Sequence, residues 1–470
     1  MSKFISQTTT EIKKEWDIVD DNEINDKIET KEDKEKRKKA EEYVHSSYDN
    51  FLFHYKNGFE ALQKDIKDCK KLEIHSYSRD FIWYFFLGIL SYKTSSNWNK
   101  IITDERSLYN SFKKELITKD INDFIDAKKI KDQYSLYFRF KDILPKEDYT
   151  LLDLIKIDVN RTFQKIQLFH LDKIKKILVT ALFIFAKKNK DISYRQGMSE
   201  LCAVFLYVLY KEQVIKPAFI ENNEKFLFFL FHSNNEFLEN DTYLMFSKFM
   251  LKGFAIFFKY NDEIYRDGHL NQLDIEQKKA LTKKEIINSN DSELKKRIFL
   301  IFYDKFPFID KDLYKFMSDK IDPEIFIFRW FLCIFTREFN INQVVHLWDL
   351  ILLYEYVEEK LSKKESEIDN NNENINKEDN SNNNNIINDN SNIKNENDNI
   401  NNDQNQSMGF HFIDYIALSM ILKIKNLIVK KKTSSELLSF LMKYPTDIDL
   451  KEICNKALDI YYKINPNIKV

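Results

Sequence analysis

The chain has 470 residues, 43% hydrophobic and 15% aromatic, so it is long enough to bury one large core or two ordinary ones. Its 73 Lys and Arg residues balance 75 Asp and Glu residues, which argues against a dedicated nucleic-acid binder because such proteins usually carry a basic excess. Local lysine runs, such as Lys430 to Lys432, are interpreted as solvated helix faces and loops.

The glycine motifs, the cysteine spacing and the length of the apolar runs limit the class of protein further. The six glycines form neither G-x-x-x-x-G-K-[ST] nor G-x-G-x-x-G, which excludes those nucleotide-binding loops and favours long helices. The cysteines lack metal-ligand spacing and are interpreted as buried free thiols: Cys69, Cys202, Cys333 and Cys454. The longest apolar runs have about ten residues, whereas a membrane span needs about twenty. We therefore expect a cytoplasmic protein that has no transmembrane segment and reaches membranes through a partner.

The first part of the chain changes from a charged tail to a helical pattern. Residues 1–42 end in KEDKEKRKKAEE, which predicts a disordered tail or a solvated helix. Helical patterning then continues over residues 43–465, which predicts one all-α domain. Near its start Arg79 precedes Trp83 and Gly88 in an R-x-x-x-W-x-x-x-x-G pattern, and an R-x-x-Y element begins at Arg106. The apolar residues around Trp83 are interpreted as core.

The stretch from Ile155 to Leu209 contains two polar clusters separated by one amphipathic helix. The first cluster is Ile155-x-x-Asp158-x-x-Arg161-Thr162, and the second is Tyr194-x-Gln196-Gly197-Met198. Between them, residues 172–188 carry the i, i+3, i+4, i+7 stripe that is typical of a core-facing helix, at Ile174, Ile177, Leu178, Ala181, Leu182 and Phe185. Residues 189–192 are predicted to form a loop, and residues 201–210 a buried helix.

Two polar segments interrupt the second half of the helical pattern. Residues 260–295 predict a polar surface insertion, and residues 360–408, which are rich in Asn, predict a disordered loop because they lack apolar surface to bury. Between them, Asp322-Pro323 predicts the start of a buried helix over 324–339. That helix contains Arg329-Trp330 and ends in Arg337-Glu338, which we interpret as a structural charge pair. His170 and His346 are interpreted as core or boundary histidines.

In order and spacing, these elements resemble the TBC domain, the GTPase-activating domain for Rab small GTPases. The two polar clusters are similar to its two signature motifs. The segment that begins with Arg329-Trp330 and ends at Phe339 is similar to a further helix of the family, and Leu347-Trp348-Asp349 is similar to its L-W-D box. The pattern L-x-x-L-M-x-Y-P at 438–445 and D-x-Y-x-x-F at 241–246 resemble the TBC domain family member 5 type. One departure is Ser199-Glu200, where many members have Asn-Asp; we expect it to touch neither catalytic side chain.

The resemblance implies an all-α, two-lobed fold and a role for each motif residue. Arg161 would be an arginine finger and Gln196 a glutamine finger, both supplied in trans. Four residues would support or orient them: Asp158, Thr162, Tyr194 and Gly197. Two arginines are candidates for partner contact, Arg79 and Arg195, with a structural role also open for Arg79. The remaining motif residues would be structural: Trp83, Gly88, Arg329, Trp330, Trp348 and Asp349.

The chemistry fits these residue types. Hydrolysis of GTP develops charge on phosphate oxygens, which a planar and always charged guanidinium stabilises well. A neutral amide can donate and accept at once, and so can orient the attacking water. The resemblance thus implies a protein with no metal or cofactor of its own, which acts on Mg-GTP bound to a Rab and regulates vesicle or endosomal traffic.

Two other hypotheses follow from the same residues. A non-catalytic TBC scaffold would bind a Rab or a coat component without stimulating hydrolysis, and inactive members commonly lack a finger residue. A helical-repeat adaptor is disfavoured because no repeat period is evident. Taken alone, Asp158 and Arg161 would be an ordinary i, i+3 helix pair.

Overall fold

The computed structural model describes residues 79–90, 97–127, 140–215, 235–259, 269–378, 409–445 and 447–466. Within these ranges every regular element is helical, so the predicted all-α class is confirmed. None of the described helices is long and apolar enough to cross a membrane. The charged tail predicted over residues 1–42 and Cys69 lie outside the described residues.

The first group of helices contains both signature motifs. Its α-helices are α1 Arg79–Phe86, α2 Trp98–Leu116, α3 Lys119–Asp126, α4 Lys146–Arg161, α5 Asp172–Lys188, α6 Met198–Ile215 and α7 Leu238–Leu251. Short 3₁₀ turns lie at Gln167–His170, Asn235–Phe237 and Phe254–Phe258. Helix α5 has the predicted bounds and packs against α4, α6 and α7, so the amphipathic helix between the motifs is the centre of this group.

The second group follows in the chain. Its helices are α8 His269–Gln272, α9 Ile275–Ala280, α10 Lys283–Asn288, α11 Glu293–Phe299, α12 Phe306–Ile309, α13 Lys311–Ser318, α14 Glu324–Leu332, α15 Ile341–Glu378, α16 Phe412–Lys423, α17 Lys425–Ile428, α18 Ser434–Leu441 and α19 Leu450–Ile464, with a π-helical segment at Leu300–Lys305. Helix α16 packs along α19, and α11 packs against α14. Helix α15 contacts α1 and α6 as well as α16, and so joins the two groups.

The polar segment over residues 260–295 has more tertiary structure than its composition predicts. Helices α9 and α10 each begin with a capping box, formed by Asp274 with Gln277 and by Thr282 with Glu285. Ile286 within α10 is fully buried. The described part, from residue 269, is therefore folded onto the core and does not simply extend from the surface.

The first part of the predicted Asn-rich loop is helical. Helix α15 extends to Glu378, past the predicted start of the loop at residue 360, and residues 379–408 lie outside the described residues. The chain is described again from Gly409, where Arg297 Nη1 donates to the Gly409 carbonyl oxygen at 2.5 Å. Arg297 Nε also donates to Asp414 at 2.6 Å, which ties this point to α11.

The predicted helix over 324–339 ends at Leu332, before its expected bound. Ile334 and Phe335 follow with φ values of 41° and 62°, a left-handed conformation that costs roughly 1 kcal/mol or more per non-glycine residue. Both residues are fully buried. Trp348 Nε1 donates to the Ile334 carbonyl oxygen at 3.1 Å, and Phe335 N donates to the Trp330 carbonyl oxygen at 3.0 Å. Packing by the core thus holds a turn where an apolar run alone predicts continued helix.

The motif residues predicted to be structural join α1 to α15. Asp349 is fully buried and accepts hydrogen bonds from Arg79 Nε at 3.0 Å and from Trp83 Nε1 at 2.8 Å. Trp83 stacks on Trp348, with ring centroids 6.1 Å apart. Of the two roles left open for Arg79, burial to 7% exposure favours the structural one. Gly88 ends this segment with a φ of +73°, which glycine adopts without strain.

A second buried ion pair joins α2 to α7. Arg106 donates to both carboxylate oxygens of Asp241, through Nε at 2.8 Å and Nη2 at 2.6 Å. Tyr109, one turn after Arg106, donates to Glu239 at 2.7 Å. The R-x-x-Y and D-x-Y-x-x-F elements, which were separate in the sequence, therefore form one contact in the fold.

Candidate functional site

The first motif places an arginine at the end of a helix. Arg161 is the last residue of α4, and Phe163 then turns the chain with a φ of +43°. The Arg161 side chain is 51% exposed, whereas that of Asp158, one turn earlier, is 3% exposed. Asp158 Oδ1 accepts a hydrogen bond from Arg161 Nε at 3.1 Å and another from Arg161 Nη2. The guanidinium is thus held along one edge, which leaves its Nη1 for a further acceptor.

The second motif places a glutamine on a tight turn before α6. Met198 N donates to the Arg195 carbonyl oxygen at 3.2 Å, so Gln196 and Gly197 are the two central residues of this turn. Gly197 has a φ of +105°, and positive φ at this position of a turn favours glycine. Gln196 is exposed, and its neighbours Tyr194 and Met198 are buried. The glutamine amide is therefore presented to solvent from a buried base.

Hydrogen bonds join the two motifs. Tyr194 donates from its hydroxyl to Asp158 Oδ2 at 2.9 Å, and Thr162 Oγ1 donates to Ser199 Oγ at 2.9 Å. Burial, together with the neighbouring Asp158 carboxylate, raises the pKa of Tyr194, so its hydroxyl remains a donor at neutral pH. Asp158 therefore accepts hydrogen bonds from Arg161 on one carboxylate oxygen and from Tyr194 on the other. One buried carboxylate links the bases of both exposed side chains.

The second group of helices also contacts the turn over residues 195–198, the glutamine turn. A Cβ atom placed on Gly197 would lie 3.6 Å from Cys333 Sγ, which is ordinary van der Waals contact. Glu200 accepts a hydrogen bond from Thr336 Oγ1 at 2.6 Å. It also forms an ion pair with Arg337, whose Nη2 lies 2.8 Å from Glu200 Oε1. The turn that follows α14 therefore lies directly against the start of α6.

The predicted pair of Arg337 with Glu338 is wrong. Arg337 pairs with Glu200, and Glu338 accepts from Arg329 Nε at 3.0 Å and from Arg329 Nη2 at 2.6 Å. The two residues lie in the turn that begins at Ile334, beyond the end of α14, and each faces a different helix. A charge pattern along the chain shows which residues carry charge, but it cannot show their long-range partners.

Ser199, Glu200 and Thr336 are the site residues that the motif comparison missed. From the sequence, Ser199 and Glu200 are only a departure from the family pattern, expected to touch neither Arg161 nor Gln196. They bond to residues beside the site: Ser199 accepts from Thr162, next to Arg161. A polar residue in the first turn of an otherwise apolar helix was the available signal, because such a residue needs a partner when it is buried.

The remaining candidates lie at the edge of the site or away from it. Arg195 is half-buried in the glutamine turn. His170 is exposed, which corrects its assignment to the core or its boundary, because Phe169 of the same 3₁₀ turn takes the core position. His346 is 45% exposed and is a boundary residue, as expected. Cys202 and Cys333 are buried free thiols whose pKa is raised by burial.

The chain belongs to the Rab-GTPase-TBC domain family, because the family model matches residues 76–269 and 279–363, more than half of the chain. Both signature motifs lie inside the first matched segment. The interval between the segments, residues 270–278, falls within the polar segment over 260–295 that the sequence predicted to be an insertion.

The chain is similar to TBC1 domain family member 5 of Mus musculus, with 27% identity over 58% of this chain and 33% of the mouse protein. It is also similar to TBC1 domain family member 5 homolog B of Dictyostelium discoideum, with 30% identity over 37% of this chain and 17% of that protein. These matches confirm the predicted resemblance to the member 5 type. The chain spans a third or less of the length of these two relatives.

A solved structure confirms the fold. The Ypt/Rab-GAP domain of Gyp1p superposes with a TM-score of 0.53 at 16% identity, over 86% of this chain and 93% of that chain. At this identity the similarity shows the architecture, which is the two-group, all-α TBC fold that the sequence predicted.

Proposed function

We propose that this chain accelerates GTP hydrolysis by a Rab small GTPase, to which it supplies Arg161 and Gln196 in trans. The observation that carries the proposal is the exposure of one arginine and one glutamine from bases that a single buried carboxylate, Asp158, links together. The family supports it, as does the name of a further relative, GTPase-activating protein gyp1 of Schizosaccharomyces pombe, 23% identical over 44% of this chain.

Arg161 would stabilise the charge that develops on the phosphate oxygens. Its guanidinium is held by Asp158 at Nε and Nη2, so less rotamer entropy is lost when Nη1 meets the phosphate. An arginine supplied in trans raises the rate of such reactions by roughly 10³- to 10⁵-fold. Exposure is required for this role, because the phosphate arrives with the partner.

Gln196 would orient the attacking water. Its amide oxygen can accept a hydrogen bond from the water while its NH₂ group donates one to a phosphate oxygen in the same geometry. The turn around Gly197 projects this side chain outward while Tyr194 and Met198 fix the turn in the core. In this proposal Mg²⁺ and GTP belong to the GTPase, and recruitment of the chain to endosomal or other vesicle membranes occurs through that partner.

Single-turnover GTP hydrolysis across a panel of Rabs tests the proposal. Wild type should accelerate one or a few Rabs, and Arg161→Ala and Gln196→Ala should each lose most of the acceleration, about 100-fold or more. Lys165→Ala and Gln167→Ala are matched controls, because they remove exposed side chains near the same helix end, and each should keep the wild-type rate.

Two results would contradict the proposal. Equal losses in the control variants would show that the assay reports folding and not the two fingers. The second result is that wild type accelerates hydrolysis by no Rab, while both wild type and Arg161→Ala still bind one GTP-bound Rab. This result would favour the non-catalytic scaffold.

A further inference from the structure

We infer that Glu200 is a positioning residue for Gln196, and that the turn formed by residues 333–339, the strained turn, fixes it through Thr336 and Arg337. The inference rests on the proposed function, because Gln196 matters only if it acts on a partner's nucleotide. It deepens that function by adding the second group of helices to a site whose two motifs both lie in the first group.

The glutamine turn leads directly into α6. Gln196 is exposed, and the turn closes through the hydrogen bond from Met198 N to the Arg195 carbonyl oxygen. The orientation of the turn therefore depends on how the first residues of α6 are held. Glu200 lies one turn after Gln196, and its N–H donates to the Gly197 carbonyl oxygen at 3.1 Å.

The Glu200 carboxylate is fixed at both oxygens by the strained turn. Thr336 Oγ1 donates to Oε2 at 2.6 Å, and Arg337 Nε and Nη2 approach Oε1 at 2.9 Å and 2.8 Å. The Glu200 side chain is 13% exposed, so its carboxylate is largely removed from solvent, whereas the Arg337 side chain is 43% exposed. Gly197 also lies close to this turn, since a Cβ atom placed on it would be 3.6 Å from Cys333 Sγ.

The strained turn is itself held by the core. Ile334 and Phe335 adopt positive φ values and are fully buried, and the Trp348 indole donates to the Ile334 carbonyl oxygen. Backbone strain persists only where the surroundings fix it, and it concentrates at functional sites. Here the strained conformation directs Thr336 and Arg337 towards Glu200.

The turn also provides a matched control. Glu338, the residue after Arg337, is buried and accepts its hydrogen bonds from Arg329. Replacing either glutamate by glutamine removes one charge from a partly buried ion pair at the same turn. Glu200 donates its N–H to the Gly197 carbonyl oxygen, whereas Glu338 bonds to Arg329, so a structural role and a positioning role predict different results for the two variants.

The experiment compares Glu200→Gln, Thr336→Val and Glu338→Gln in single-turnover hydrolysis with the Rab that wild type accelerates best. Glu200→Gln should lower the rate at saturating protein by about 10-fold, while the half-saturating concentration changes by less than about 3-fold. Thr336→Val should show a smaller loss in the same direction. Glu338→Gln should keep the saturating rate, even where its melting temperature falls.

A double-mutant cycle tests whether Glu200 acts through Gln196. In the Gln196→Ala background, Glu200→Gln should cause little further loss, because the side chain that it positions is absent. A full 10-fold loss in that background, or equal losses for Glu200→Gln and Glu338→Gln, would overturn the inference and leave Glu200 as a structural ion-pair partner.

Amide hydrogen exchange over residues 193–199 gives a readout that needs no GTPase. Exchange there should be about 10-fold faster in Glu200→Gln than in wild type or Glu338→Gln, because the turn loses an anchor. If wild type accelerates no Rab but this exchange increases, the proposed function fails while the positioning contact is supported. Unchanged exchange would refute the positioning contact whatever the activity.

Discussion

Replacement of Asp349 tests whether the Arg79 network holds the fold together. Asp349 is fully buried and accepts from Arg79 Nε and Trp83 Nε1. Removing one partner of a buried ion pair costs about 3–5 kcal/mol, because the remaining charge is left uncompensated. Loss of the Trp83 acceptor adds about 1 kcal/mol. We therefore expect Asp349→Ala to lower the free energy of unfolding by about 4–6 kcal/mol, which is much of a typical domain's stability.

A milder variant keeps the measurement within range. Asp349→Asn retains an oxygen that can accept from Trp83 but removes the charge that faces Arg79, so we expect a loss of about 2–3 kcal/mol. Urea unfolding, followed by far-UV circular dichroism, measures this loss. Asp126→Asn is the control, because Asp126 forms an exposed pair with Lys176 and should cost less than about 1 kcal/mol.

The result that would refute this reasoning is a stability of Asp349→Asn within about 0.5 kcal/mol of wild type, as for a surface substitution. The ion pair between Arg79 and Asp349 would then contribute little to the stability of the fold. In that case the other role proposed from the sequence, contact with a partner, would return, and Arg79→Ala should weaken binding of the GTPase without lowering the melting temperature.

Three further predictions concern single positions. Gly197→Ala should cost about 1–2 kcal/mol, because its φ is +105°, and should also slow hydrolysis; Gly253→Ala, at a φ of +135°, should lower the melting temperature without slowing hydrolysis. Trp348→Phe removes the donor to Ile334 and should lower the free energy of unfolding by about 1 kcal/mol or more, as measured by urea unfolding. Burial and the nearby Arg297 lower the pKa of His411 to about 4. Between this value and the unfolded pKa of about 6.5 the unfolded chain binds the proton, so stability present above pH 6.5 falls towards pH 4. The unfolding free energy of wild type minus that of His411→Gln should therefore decrease as the pH falls from about 6.5 to about 4. A difference that is independent of pH would contradict the lowered pKa of His411.

The sequence by itself determined the elements that depend on local pattern. The stripe from Ile174 to Phe185 predicted α5 with its observed bounds, because a helix buries every third or fourth residue. The order and spacing of the motifs predicted the family, and they identified Arg161 and Gln196 as the candidates that the structure leaves exposed. Composition predicted the all-α class, because few glycines and prolines leave long helical stretches uninterrupted.

Only the tertiary structure decided which polar residues meet. Glu200 and Arg337 are 137 residues apart, and nothing in their spacing pairs them in preference to Arg337 with its neighbour Glu338. The apolar run after Arg329 predicted continued helix, but Trp348 and the surrounding core stabilise a left-handed turn at Ile334. Periodicity reports which face of a segment is apolar. The partner of a buried charge, and the strain that a backbone can sustain, are set by contacts between segments that are distant along the chain.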